Sequence, residues 1–208
     1  MGNDIARAHD GLGVGAGTAL AERSFGTTRW RVQRWDADQT RWVKTKTGLV
    51  APDADDFMRL RVASYETTEL VGNLITNAGW TRLMNLLTAQ GGTQALSSTA
   101  TRIGVGNSNT AEAYTDTDLG ASAGSSNRFF QPVSGSGSLG TRTLSFSAAF
   151  GTSDGNFAWN EFGIDVGTPT VSGGTTVNAL LFNHKAGIAQ GTKASGQTWT
   201  ATATITFS

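Results

Sequence analysis

Between Arg142 and Val166 the sequence reads RTLSFSAAFGTSDGNFAWNEFGIDV, and its first half alternates strictly. Leu144, Phe146, Ala148 and Phe150 fall on one side, and Thr143, Ser145 and Ser147 on the other. A period of two describes a strand with one face in a core and one in water. Gly151-Thr152-Ser153-Asp154-Gly155-Asn156 follows, where glycine supplies positive φ and aspartate can bond its own following backbone. The apolar limb resumes with Phe157, Trp159, Phe162 and Ile164. The pattern predicts a β-hairpin with a longer loop at the centre of a β-sandwich. Glu161 interrupts the second limb; the expectation is a half-buried carboxylate held by an arginine such as Arg102 or Arg142.

A second alternating run agrees with the first. In 198–207, Trp199, Ala201, Ala203, Ile205 and Phe207 line one face, and threonines line the other. Residues 102–106 and 179–182 read as shorter strands, and Phe129-Phe130 as an apolar piece inside a Gly/Ser-rich loop at 120–140 that is mobile unless a neighbour orders it. One helix is expected near 77–89. Trp80, Leu83, Met84 and Leu87 share a face there, with Asn77 as N-cap, Gly91-Gly92 as the stop, and the apolar stripe on a sheet. Around Pro52, the acids at 53–56 and the alternation of Met58, Leu60 and Val62 leave helix and strand both open. The predicted class is therefore mainly β, an antiparallel, jelly-roll-like sandwich over 70–208, preceded by an arm and a β-hairpin in 1–69 that form an attachment segment.

Thr, Ser and Gly make up about a third of the chain, proline is scarce and cysteine is absent. Disulfides and thiolate metal sites are thereby excluded. The formal net charge is zero, so no global field recruits nucleic acid or membrane. Charge is unevenly spread, with 20 of the 32 charged side chains in residues 1–70. The sparsely charged remainder suits a surface coated with hydroxyls or covered by other chains. No apolar run is long enough to span a bilayer, and MGNDIARAHD lacks the apolar core of a signal peptide.

Candidate chemistry is thin. Gly11, Gly13 and Ala16 match a dinucleotide fingerprint in spacing, but no strand precedes them and no βαβ unit follows, so an extended arm is expected. Gly104 and Gly106 resemble a phosphate cradle without the Lys-Ser/Thr that would complete it. His9 and His184 have no partners at metal-ligand spacing, and no G-x-S-x-G elbow occurs. A glycosidase needs two carboxylates about 5 to 10 Å apart. Asp154, Glu161 and Asp165 are the acids in the central stretch, and Glu161 as half of a structural pair is the expectation. No catalytic residue, cofactor or metal is assigned, and the chain is expected not to be an enzyme. The candidate site is a partner-binding one. In 23–48, Trp30, Val32 and Trp35 fall in one limb, Trp42 and Val43 in the next, with 36–40 as the turn. Arg29, Trp30, Arg31, Arg34, Trp35, Arg41, Trp42 and Lys44 interleave cations with indoles, leaving a local excess of about five positive charges. Such a platform suits single-stranded nucleic acid or a protein hot spot. A small hairpin with a merely solvated basic face is the plain alternative; the functional expectation is an interface to an acidic neighbouring subunit, with no nucleic acid and no membrane.

Four stretches carry a resemblance: GNLITNAGWTRLMNLLT (72–88), TRIGVGNSNTAEAYTDTDL (101–119), TLSFSAAFGTSDGNFAWNEFGI (143–164) and TKASGQTWTATATITFS (192–208). Their order and content resemble a family of tailed-bacteriophage virion proteins, over about residues 70–208. The resemblance implies a non-enzymatic structural protein located in the virion. It implies either a capsid decoration (cement) protein, commonly a homotrimer clamping major capsid subunits, or a tail-fibre or tail-tip component with host-glycan-binding loops.

Overall fold

The computed structural model describes residues 26–91, 93–134, 137–167, 171–172, 175–176 and 180–207. In chain order the elements begin with β1 (Gly26–Trp35), α1 (Ala37–Thr47), α2 (Ala54–Arg59), β2 (Glu66–Val71), β3 (Leu74–Ile75) and α3 (Asn77–Leu87). They continue with β4 (Thr101–Gly106), β5 (Arg128–Pro132), β6 (Ser138–Leu139), β7 (Thr143–Phe150) and β8 (Glu161–Val166). The last are β9 (Val171–Ser172), β10 (Thr175–Thr176), β11 (Leu180–Ala186) and β12 (Thr198–Phe207). Two five-stranded antiparallel sheets face each other: sheet 1 in the order β2-β1-β12-β7-β6, sheet 2 in the order β3-β11-β8-β4-β5. The mainly β, sandwich-like class read from the sequence is the one observed.

The central stretch is not a hairpin. β7 pairs with β12 and β6 in sheet 1, whereas β8 pairs with β4 and β11 in sheet 2. The reason lies in residues 151–160, which carry too much apolar mass for a solvent loop. Phe157 and Trp159 are buried between the sheets. Their backbone bonds the 188–193 segment instead of β7: Trp159 N–H donates to Gly191 O at 2.9 Å, and Gln190 N–H to Trp159 O at 2.8 Å. Trp159 then meets Phe150 from sheet 1 and Phe162 from sheet 2 edge-on, at 4.7 and 6.1 Å. Edge-to-face rings of this kind add to the burial of their area. Trp30 of β1 stacks on Phe162 across the core at 4.7 Å. Opposite Trp30 on the neighbouring strand lies Ala203, and Ala201 faces Ala148. Small side chains beside large rings fill the gap between the sheets without a void.

The predicted hairpin of 23–48 is also corrected. β1 runs unbroken to Trp35, pairs with β12 over ten residues and with β2 over six, and is followed by a helix. Helix α1 starts because Asp36 accepts from Gln39 N–H while the Gln39 side chain accepts from Asp36 N–H, a reciprocal capping box. It stops at Gly48, whose φ of 72° suits a residue without Cβ. Helix α2 repeats the device with Asp53 and Asp56, which settles the helix-or-strand ambiguity up to Arg59. Sheet 1 runs across the expected domain boundary at 69/70, since β1 from one side pairs with β12 from the other. The expected arm, with Gly11, Gly13, Ala16 and His9, lies outside the described residues.

Helix α3 forms where expected, with two amendments. Its N-cap is Thr76, not Asn77: Thr76 Oγ1 accepts from Gly79 N–H and donates to Leu181 O at 2.6 Å, fastening the helix to β11. The face on the sheet is Gly79, Arg82 and Leu83, while Met84 and Leu87 stay 46 % and 77 % exposed. Gly79 decides this, because a Cβ there would overlap the carbonyl of Phe182. The helix is also not alone, since α1 has the same length of 11 residues. Trp35, Val43 and Phe57 form a second small core between β1, α1 and α2, with Trp35 and Phe57 stacked at 4.2 Å.

Candidate functional site

The eight predicted partner-binding residues fall on two elements, five on β1 and three on α1. Trp30 and Trp35 are buried, the first in the main core and the second under α1 and α2. Arg34 is buried as well, its guanidinium 4.5 Å from the centre of the Trp199 ring and bonded to Gln190 O and Oε1 at 2.9 and 2.8 Å. Burial pulls its pKa down against the pull of Glu66. These three hold the fold and present no surface to a partner. Arg29 and Arg31 point outward from sheet 1, both paired with Glu69, at 3.1 and 3.9 Å. Arg41, Trp42 and Lys44 sit on α1, where Arg41 pairs with Asp38 and Lys46 lies 5.8 Å from the Trp42 ring.

A groove of about 610 Å³ opens at this end of the molecule, between α1 and the segment that follows it. Arg41, Lys44, Leu49 and Val50 line it, joined by Thr152 and Gly196 from two loops. Val50 is 82 % exposed, and Trp42, elsewhere on α1, is 45 % exposed. The groove thus combines aliphatic surface with two cations. The sequence reading missed Leu49 and Val50, which no periodicity marks as surface residues.

The other concentration of charge lies on the outer face of sheet 2, beneath the 107–127 connection between β4 and β5. Three glycines clear the ground. A Cβ at Gly104 would strike the Phe130 ring, one at Gly163 the side chains of Leu181 and Leu119, and one at Gly106 the carboxylate of Glu161. Gly104 and Gly106 therefore make a seat for the chain's own side chains, not a phosphate cradle. Leu119 packs there with Phe130 and Leu181 in a third small cluster.

Glu161 on β8 is fully buried, and its partners are not the expected arginines. Its Oε2 accepts from Gly120 N–H and its Oε1 from Ala121 N–H, each at 2.8 Å. His184 Nε2 lies 2.8 Å from Oε2, and His184 Nδ1 lies 2.7 Å from Asp116 Oδ2. Burial alone would lower the imidazole pKa, but the hydrogen bonds and charges of Glu161 and Asp116 outweigh it and raise the value above 6.5. Arg128 pairs with Asp118 at 2.7 Å, and Lys185 with Glu112 at 3.0 Å. Burial would raise the Glu112 pKa, yet Lys185 and the Ala186 amide bring it below the usual carboxylate value.

Arg102 faces Asp165 on β8 instead of Glu161. Burial lifts the Asp165 carboxyl to about 7, partly offset by Arg102, Arg128 and Arg82. At the other end, Lys193 is buried and donates to Gly151 O and Asn156 Oδ1 at 2.6 and 2.7 Å. Burial lowers its pKa to about 8. It ties the 151–156 turn beneath the 188–193 segment.

His184 and its carboxylates escaped the sequence reading because Asp116 and Glu161 stand 68 and 23 residues away. Among the described residues, no three His, Asp or Glu side chains converge so as to hold a metal ion, and no helix is long and apolar enough to cross a membrane. Compared with protein-family models, with curated proteins and with solved structures, the chain matches none.

Proposed function

We propose that this protein is a non-enzymatic structural component of a tailed-bacteriophage virion, a decoration protein that binds and stabilises the assembled capsid. The observation that carries the reading is the groove at α1, where Arg41 and Lys44 stand beside exposed Leu49 and Val50, with Trp42 exposed on the same helix of the two-sheet body. Indole and guanidinium anchors of this type dominate protein interfaces. The cations select an acidic, partly apolar segment of the major capsid protein as occupant. A ligand that binds only the assembled lattice stabilises each site by about 2.7 kcal/mol at a hundredfold excess over Kd. The protein acts in the virion as a homo-oligomer, a trimer on this reading. The sandwich is taken as a jelly-roll variant, supported by four connections that pass from one sheet to the other, β2 to β3, β5 to β6, β7 to β8 and β11 to β12.

A second reading, a tail-fibre or tail-tip protein that docks host glycan, is favoured by one different feature. The outer face of sheet 1 presents rows of hydroxyls, with Ser145 bonded to Thr204 at 2.9 Å and Ser147 to Thr202 at 3.2 Å, beside Arg29 and Arg31. One experiment separates the two. Arg41→Glu/Lys44→Glu/Val50→Asp, folded as judged by circular dichroism, is expected to lose binding to purified particles, and the wild type to be present in hundreds of copies per particle. A handful of copies with loss of host adsorption supports the fibre reading. Undiminished binding by the triple variant refutes the α1 contact.

A further inference from the structure

The 107–127 connection is fastened to sheet 2 by groups that accept and donate in fixed directions. Asp116 and Glu161 reach His184 from opposite sides, one from the connection and one from β8. An ionised carboxylate only accepts hydrogen bonds. A neutral imidazole donates from one nitrogen and leaves a lone pair on the other, which here would face a carboxylate oxygen at under 3 Å. Between two ionised carboxylates, both contacts are favourable only when His184 carries two protons. Glu161 also accepts from Gly120 and Ala121 N–H of the same connection, so it cannot turn away without freeing that stretch.

We propose that this connection is a latch: a doubly protonated His184 holds it shut over sheet 2, and loss of that proton opens it. The other titratable groups around the ring do not substitute for it. Lys185 on the same strand is held by Glu112 and Arg128 on β5 by Asp118, whereas burial raises Asp165 on β8, near Arg102 and Arg82, to about 7, so its own titration falls in the lower part of the pH range over which the latch is read. Opening uncovers Leu119, Phe130 and Leu181, an apolar surface that the closed latch hides. The switch stands on these contacts within the chain and is independent of the proposed capsid role.

The sign follows from linkage. The folded, closed state binds the His184 proton more tightly than the open state, so the closed form is fully favoured below the ordinary value of 6.5 and loses ground as pH rises through the raised one. Opening should increase about tenfold per pH unit over that interval and then level off. The test uses the full chain. Long-range 15N NMR reads the ring nitrogens of His184, and chymotrypsin cleavage after half-exposed Tyr114, normalised to a peptide substrate, reads the latch from pH 6.5 to 9.5. Two protons on His184 at pH 7 and cleavage that climbs with its titration support the proposal. Asp116→Asn supplies the decisive variant, because its amide can donate to a neutral imidazole. It is expected to keep the fold, bring the His184 titration down and flatten the cleavage profile. A singly protonated His184 at pH 7, a flat wild-type profile, or an Asp116→Asn profile that tracks the wild type would overturn it.

Discussion

The outer faces of the two sheets start from the same pattern and end differently. On sheet 1 the outward residues Arg29, Arg31, Ser145, Ser147, Thr202 and Thr204 remain at the surface, joined by hydroxyl pairs and two shared contacts with Glu69. On sheet 2 the outward residues Glu161, Asp165, His184 and Arg128 are all buried, because the 107–127 connection folds over them. Alternation decides which side of a strand a residue faces; only the cover decides whether that side is wet. A surface ion pair contributes about 0 to 1 kcal/mol, whereas removing one member of a buried pair costs about 3 to 5 kcal/mol. Most of the chain's polar stability should therefore sit on sheet 2.

The largest effect is expected at Glu161. Glu161→Ala strands two backbone N–H groups and His184, and should lower unfolding stability by about 3 to 5 kcal/mol in urea titration. A loss under about 1 kcal/mol would erase the contrast between the faces. Asp165 comes next and carries a pH signature. Its folded carboxyl at about 7, against 3.8 unfolded, means that the native state holds the proton more tightly. Stability should then fall as pH rises from about 4 to about 7, by up to about 4 kcal/mol from this group. Asp165→Asn should remove that slope, so the variant gains on the wild type as pH rises; parallel stability curves would contradict the burial argument. Smallest is sheet 1: Arg29→Ala and Glu69→Ala, alone or together, should change stability by less than about 1 kcal/mol, with any coupling fading in high salt. A coupling of several kcal/mol would put the two faces on an equal footing.

What the sequence disclosed follows the same division. β7, β12 and α3 were legible because their patterns are local: Leu144 to Phe150 and Trp199 to Phe207 alternate without interruption. The partner of β7 was not legible, since a strand's alternation is satisfied equally by a hairpin or by a crossing to the other sheet. Helix α1 had a visible signal in Asp36 and Gln39, and the strand-favouring pair Trp42-Val43 obscured it. Arg34 was read as a surface cation because nothing local announces that Trp199 and Gln190 will enclose it. The cluster around His184 depends on contacts between residues far apart in the chain, which no spacing rule reaches.

The pairing of β1 with β12 has a consequence for how the molecule is made. Trp30 and Val32 leave the ribosome well before β12, yet that strand flanks them on one side in sheet 1 and runs to Phe207. Until translation has passed that point, those side chains have no permanent shelter, and sheet 1 lacks its middle. Chains abandoned before Thr198 should never become native, which makes the arrival of β12 the checkpoint for a usable sheet.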